Sequence, residues 1–137
     1  SMLDASVQAF IVTMLKEIQK RRGLSLVFIT HDLEAAKAIS DRVLVMYAGE
    51  IIEEGNDVFD RPLHPYTRAL LDAARYMSLE VVVSEEDGEL SDGFSGCSYY
   101  RLCREKTDAC KKPQKLRDVS GRLVRCWKSK YAVQKLS

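Results

Sequence analysis

Residues 24–32 read LSLVFITHD. Residues 24–30 are apolar, β-branched and aromatic almost throughout, without the alternation of a half-exposed strand. Such a run describes a strand covered on both faces, as in a parallel sheet. His31 then stands at the carboxyl end of that strand, and Asp32 opens the next helix as its cap. Ligands of open α/β sheets bind just outside strand carboxyl ends, and a helix start favours anions. A histidine there can donate to a phosphate oxygen. It can equally satisfy a nearby carbonyl, and position alone does not separate the two.

Working outward, residues 6–22 (SVQAFIVTMLKEIQKRR) predict a helix with Ser6 as N-cap and Gly23 just past its end. Val7, Phe10, Ile11, Met14, Leu15 and Ile18 recur at the spacing of one buried helical face. Lys20, Arg21 and Arg22 crowd the last turn, where cations suit the helix dipole. Residues 32–39 predict a short helix. Residues 42–47 and 50–54 predict two strands joined at Ala48-Gly49, a hairpin. Asn56 is expected to cap a brief helix through Phe59, ended by Pro62. Pro65 pre-sets the first turn of a further helix over YTRALLDAARYM. This order of elements is α/β.

The chain has 137 residues, 46% of them hydrophobic, and a formal net charge of +1. No apolar run reaches the length of a membrane span, and no basic-then-apolar leader is evident. A cytoplasmic location is expected. The small net charge hides an asymmetry. Residues 1–79 hold 9 basic and 11 acidic side chains, residues 80–96 hold 6 acidic and no basic ones, and residues 97–137 hold 12 basic and 3 acidic. Residues 84–96 read as an acidic linker before a basic tail.

All four cysteines, Cys97, Cys103, Cys110 and Cys126, fall in that tail. Disulfides are disfavoured in a reducing compartment. A structural zinc site usually shows a close CxxC pair, which is missing here. A four-thiolate iron–sulfur cluster accepts wider and irregular spacing. A small appendage of this kind is expected to need some staple. Tyr99, Tyr100 and Trp127 could stack on bases, yet no recognised binding motif accompanies the basic residues, so nucleic acid is disfavoured. The lysines and arginines are expected instead to offset thiolates, to solvate the tail, or to face the acidic linker or another subunit.

The succession LDAS, a helix, LVFITHD and DRVLVMYAGEIIEEG resembles the C-terminal half of an ATP-binding-cassette (ABC) ATPase domain. Leu3-Asp4 resembles the end of a D-loop, His31 the switch histidine, and Met46, Gly49, Ile51, Glu53 and Gly55 the family's strand hairpin. RPLHPYTRALL (residues 61–71) is similar to the boundary into the C-terminal extension of dipeptide, oligopeptide and nickel importer ATPases. GCSYYRLCREKTDAC (residues 96–110) is similar to the cysteine pattern of that extension, which in some members holds a [4Fe-4S] cluster. The resemblance implies an α/β fold, the C-terminal half of a P-loop NTPase-like ABC domain followed by a small irregular cysteine-containing extension. The expected divisions are residues 1–60 for the core, 61–83 for a linking helix, 84–96 for the linker and 97–137 for the tail.

The same resemblance implies ATP and Mg in the whole protein, with His31 contacting the γ-phosphate and the attacking water. Asp4 would touch a second ABC ATPase subunit, the same or different. The other implied partners are transmembrane permease subunits and, indirectly, a substrate-binding protein, with the complex on the inner face of the cell membrane. Cys97, Cys103, Cys110 and Cys126 would hold the cluster, with zinc as the alternative. His64 is expected to anchor the helix after it, because no other histidine or carboxylate is placed to form a metal site with it. The chain contains no GxxxxGK[ST] loop, signature motif or Walker B pair, so by itself it is expected not to hydrolyse ATP. Leu3-Asp4 then follows on from residues upstream, and Ser1 and Met2 are expected to be remnants of a cut. A competing expectation is a free-standing metal-binding interaction module.

Overall fold

The computed structural model describes residues 5–76 and 93–128. The chain divides into two compact units at the Asp41–Arg42 junction. Asp4 and most of the acidic stretch lie outside the described residues.

The first unit contains α1 (Ala5–Arg22) and α2 (Leu33–Ile39). Helix α2 starts where it does because the Asp32 carboxylate accepts from the amides of Glu34 and Ala35, at 2.9 and 3.1 Å. That satisfies two of the donors a helix start leaves unpaired. The Lys16 ammonium of α1 donates to the Ala38 carbonyl at 2.8 Å, tying the two helices. The expected strand over residues 24–30 does not form. Backbone groups need a neighbouring strand to pair with, and none pairs with these residues among those described. Val27 is 87% and Ile29 92% exposed. The apolar face of α1 is likewise open, at Val7, Phe10, Met14 and Ile18.

The second unit carries a four-stranded antiparallel sheet in the order β1-β2-β4-β3. Strands β1 (Val43–Tyr47) and β2 (Glu50–Gly55) form the expected hairpin. Its turn has both central residues, Ala48 and Gly49, at positive φ, +46° and +79°, the geometry that follows a strand's right-handed twist. No helix forms over residues 56–61. Instead the Asp57 carbonyl accepts from the amides of Asp60 and Arg61, closing a turn. Helix α3 spans Pro65–Tyr76.

The tail is not irregular throughout. It contains the short strands β3 (Arg117–Val119) and β4 (Arg122–Val124), and β4 pairs with β2 through Glu53↔Val124 and Glu54↔Leu123. The tail thus adds two strands to the hairpin's sheet. One core cluster joins Val45, Ile52 and Val58, with Tyr47, Tyr66 and Leu70 against it. A second joins Val119, Val124 and Cys126, with Leu63 against it. Ile52, Val58 and Val124 are the most completely buried aliphatics, each worth about 1.5–3 kcal/mol of burial.

Candidate functional site

In the first unit, His31 is exposed and lies between two fixed residues. On one side the Thr30 hydroxyl accepts from the Asp32 amide at 3.0 Å. On the other, Asp32 caps α2. The ring is therefore presented to solvent from a constrained backbone, with a shallow concavity nearby lined by residues that include Thr30, Asp32, Ile11 and Phe28. Asp4, the other nucleotide-related candidate, lies outside the described residues.

In the second unit, the tail is attached through one buried carboxylate. Glu53 is fully buried. It accepts from the amides of Leu63 and His64, both at 2.8 Å, and from the Arg122 guanidinium at 2.5 Å. Arg122 also donates to the Arg61 carbonyl at 2.6 Å and pairs with Asp57 at 3.1 Å. A buried charge persists only when paired and hydrogen-bonded, and here both conditions are met. Gly55 completes the joint. A Cβ there would sit 3.0 Å from Arg122 Nε and 3.1 Å from its Cγ. Arg125 adds a second tie, with its side chain donating to the carbonyls of Ile51 and Gln114, each at 2.9 Å. Two of the tail's basic residues are therefore committed to the hairpin and its neighbouring segments.

An aromatic cluster closes the other side. Tyr47, Tyr66 and Tyr99 pack pairwise with ring centroids 4.6 to 5.3 Å apart. They bring the end of β1, the start of α3 and the first cysteine segment together.

This framework gathers all four cysteines around one enclosed cavity. The Cys97 amide donates to the Cys110 carbonyl at 2.8 Å. Gly96 permits that approach, because a Cβ there would come within 2.6 Å of the Cys110 carbonyl oxygen and 2.8 Å of that of Lys111. Cys103 is placed by the turn in which its amide donates to Tyr99 at 3.0 Å. Cys110 lies in the 3-10 turn Asp108–Lys111, with the Thr107 hydroxyl 3.7 Å from its sulfur. Cys126 follows β4, and its carbonyl accepts from Arg117 at 3.4 Å. Glu105 braces the rim by pairing with Arg68 of α3 and, at 3.1 Å, with Lys128.

None of the four cysteines forms a disulfide. Among the described residues, no three His, Cys, Asp or Glu side chains are spaced to grip a single ion, although the four thiols share one cavity. These two observations are compatible. A lone ion needs ligands about 2 Å from its centre, whereas thiols lining a common wall can stand further apart. Burial pushes the Cys97 thiol up to about 11, with the neighbouring cysteines raising it further. Burial also raises that of Cys103, again reinforced by Cys110. Both thiols are therefore neutral near pH 7, and any metal must displace their protons.

His64 also lines this cavity. Its Nδ1 accepts from the Tyr66 amide at 3.1 Å, so it anchors α3 as the sequence led us to expect. The cysteines, 33 or more positions along the chain, fold back to line the same cavity. Burial, followed by the nearby Arg68 charge, lowers its pKa to about 4.

Residues 52–110 match the family model described as the C-terminal region of oligopeptide/dipeptide transporters. Over 130 residues the chain is 42% identical to a putative peptide import ATP-binding protein of Brucella abortus (strain 2308), covering 90% of this chain and 39% of the relative. It is 41% identical over 131 residues to the oligopeptide transport ATP-binding protein OppF of Escherichia coli (strain K12), covering 89% and 39%. It is 36% identical over 135 residues to the dipeptide transport ATP-binding protein DppF of the same organism, covering 93% and 40%. The chain spans about two fifths of the length of these curated relatives. Residues 52–110 thus carry the C-terminal region of oligopeptide/dipeptide transporters, and about nine tenths of the chain is similar to peptide-transport ATP-binding proteins.

Proposed function

We propose that the chain is part of the ATP-hydrolysing subunit of a peptide- or nickel-type importer. In this reading two such subunits, alike or different, bind ATP and Mg and drive uptake through membrane-spanning permease subunits fed by a substrate-binding protein. The assembly lies on the cytoplasmic face of the cell membrane. The observation that carries this reading is the segment at residues 24–32: an apolar run left uncovered, ending in an exposed histidine whose next residue caps a helix. Val27 and Ile29 make sense as a central strand once flanking strands cover them. His31 then stands at the strand's carboxyl end, where it would orient the attacking water and the γ-phosphate. Positioning of this kind is most of what phosphoryl transfer asks of a protein. Asp4 would meet the partner subunit. Residues 1–60 would belong to the ATPase core, 61–83 to a linking helix, 84–96 to a linker and 97–137 to the cysteine-bearing tail.

Within the same reading, Cys97, Cys103, Cys110 and Cys126 hold a [4Fe-4S] cluster. Support comes from four thiols, none of them in a disulfide, that line one cavity. When bound, such a cluster supplies a cross-link between segments and a one-electron redox centre. A zinc site is the alternative. A free-standing metal-binding module is the competing reading of the whole chain, favoured only by the second unit having its own core.

Two measurements test these statements. In the full-length subunit assembled with its partners, His31→Ala should lower ATP hydrolysis about 10²–10³-fold, the scale of one lost transition-state donor, while nucleotide still binds. Unchanged turnover would remove His31 from the mechanism. Anaerobically purified chain should be brown and bleached by Cys103→Ser. Colourless protein with stoichiometric zinc would replace the cluster with zinc.

A further inference from the structure

Cys97 and Cys110 are thirteen positions apart in the chain and are joined directly through the backbone. The Cys97 amide donates to the Cys110 carbonyl at 2.8 Å. With ordinary bond lengths, that bond keeps the two Cα atoms within about 6.7 Å of each other, whatever its angles. Disulfides join residues whose Cα atoms are about 4.4–6.8 Å apart and whose side chains face each other. Both side chains here line the same cavity, so both leave the backbone toward one space. Burial raises the Cys97 thiol, and of the other three cysteines Cys110 adds most to that rise. Gly96 makes the approach possible, since a Cβ there would come within 2.6 Å of the Cys110 carbonyl oxygen. The other two cysteines are held differently. The Cys103 amide donates to Tyr99, and the Cys126 carbonyl accepts from Arg117.

We propose that Cys97 and Cys110 are a reversible redox pair, joined as a disulfide by a peroxide when no metal occupies the cavity. A reducing compartment disfavours permanent disulfides, and those that do form there are transient and redox-sensing. The inference concerns the metal-free chain and does not rest on the cluster reading given above. Cys97 is the less buried of the two. Its sulfur attacks one peroxide oxygen, the O–O bond breaks, and hydroxide departs as water with the thiol's proton. Cys97 is then a sulfenic acid. The Cys110 sulfur attacks the Cys97 sulfur, forming the S–S bond and breaking the S–O bond. The hydroxyl leaves as water with the Cys110 proton. The Thr107 hydroxyl, 3.7 Å from the Cys110 sulfur, can donate to that sulfur as its proton departs. Two thiols and one peroxide give one disulfide and two waters, with two electrons passing from the sulfurs to the peroxide. Oxidation leaves Cys103 and Cys126 as the cavity's thiols, and exchange with a thiol reductant reverses it.

Trypsin reads the pairing directly. Cleavage after Arg101, Arg104, Lys106, Lys111 and Arg125 puts each of the four cysteines on its own peptide. The full chain is freed of metal with a chelator under reductant, exchanged into buffer and treated with hydrogen peroxide over hours. It is then alkylated and digested. The folded chain should lose two hydrogens in mass, and residues 107–111 should be joined chiefly to the peptide that ends at Arg101. Dithiothreitol should restore four alkylatable thiols. In denaturant, where shorter loops close more readily, the same oxidation should shift toward Cys97–Cys103 and Cys103–Cys110. A folded chain that joins other cysteines, that pairs as it does in denaturant, or that gains oxygen without forming a disulfide overturns the inference. These results leave the cluster reading as it stands, because that reading is tested with metal present.

Discussion

Ile29 and Ile52 are the same residue type in two apolar runs, yet one is 92% exposed and the other 1%. Ile29 lies in a segment that reads as a strand but pairs with nothing among the described residues. Ile52 lies in β2, which has β1 on one side and β4 on the other. The contrast extends to the units that contain them. The first presents apolar side chains from α1 and from residues 24–30 to solvent. The second closes a sheet, two core clusters and a cysteine cavity from its own residues. An apolar run becomes a strand only where partners satisfy its amides and cover its faces. The second unit supplies such partners from within this chain, whereas in the proposed function the first would meet them in the rest of the subunit.

The largest expected effect lies at the joint that makes the second unit self-sufficient. Glu53→Ala leaves the Arg122 guanidinium buried without its main partner and strips the Leu63 and His64 amides of their acceptor. Removing one member of a buried pair costs about 3–5 kcal/mol. Chemical denaturation followed by Trp127 fluorescence should show that loss. A change below about 1 kcal/mol would mean that β4 is held by packing alone.

A smaller effect is expected from acid. His64 is neutral in the folded chain, and burial lowers its pKa from 6.5 to about 4. Between those values the unfolded chain binds the extra proton, so stability falls as pH drops from about 6.5 toward 4. The slope is at most about 1.4 kcal/mol per pH unit. In the metal-free chain, His64→Asn should flatten the denaturation midpoint across that window. An unchanged slope would show that other groups govern the acid response.

The smallest effect should come from the first unit. Asp32→Ala removes the cap of α2 and should cost that helix about 1 kcal/mol. The loss is read as faster amide exchange at Glu34 and Ala35, with the second unit unaffected. Unchanged exchange at Glu34 and Ala35 would show that Asp32 does not hold the start of α2.

Much of the second unit's framework could be read locally. The turn at Ala48-Gly49, the apolar positions around it and Pro65 at a helix start are short-range signals, and each appears where expected. Asp32 as a cap was equally plain. The pairing of β4 with β2 was not, because strands of three residues carry almost no periodicity and their partner lies some seventy positions away. The roles of Glu53, Gly55 and Arg122 were hidden for the same reason. The first two were visible as a family pattern, but what the pattern accommodates is an arginine from the tail. The cysteines were visible as a set, while their meeting with His64 depends on how the tail folds back. Residues 24–30 form no strand here because a strand signal reports suitability for a sheet and says nothing about whether the sheet is present.

The contrast between the two units is tested most directly by hydrogen–deuterium exchange on this chain and on the full-length subunit. In this chain, residues 24–30 should exchange at the rate of unstructured peptide, while β2 and β4 exchange only on global unfolding. In the full-length subunit, residues 24–30 should become as protected as β2. Protection of residues 24–30 in this chain alone, or their continued rapid exchange in the full-length subunit, would contradict the account.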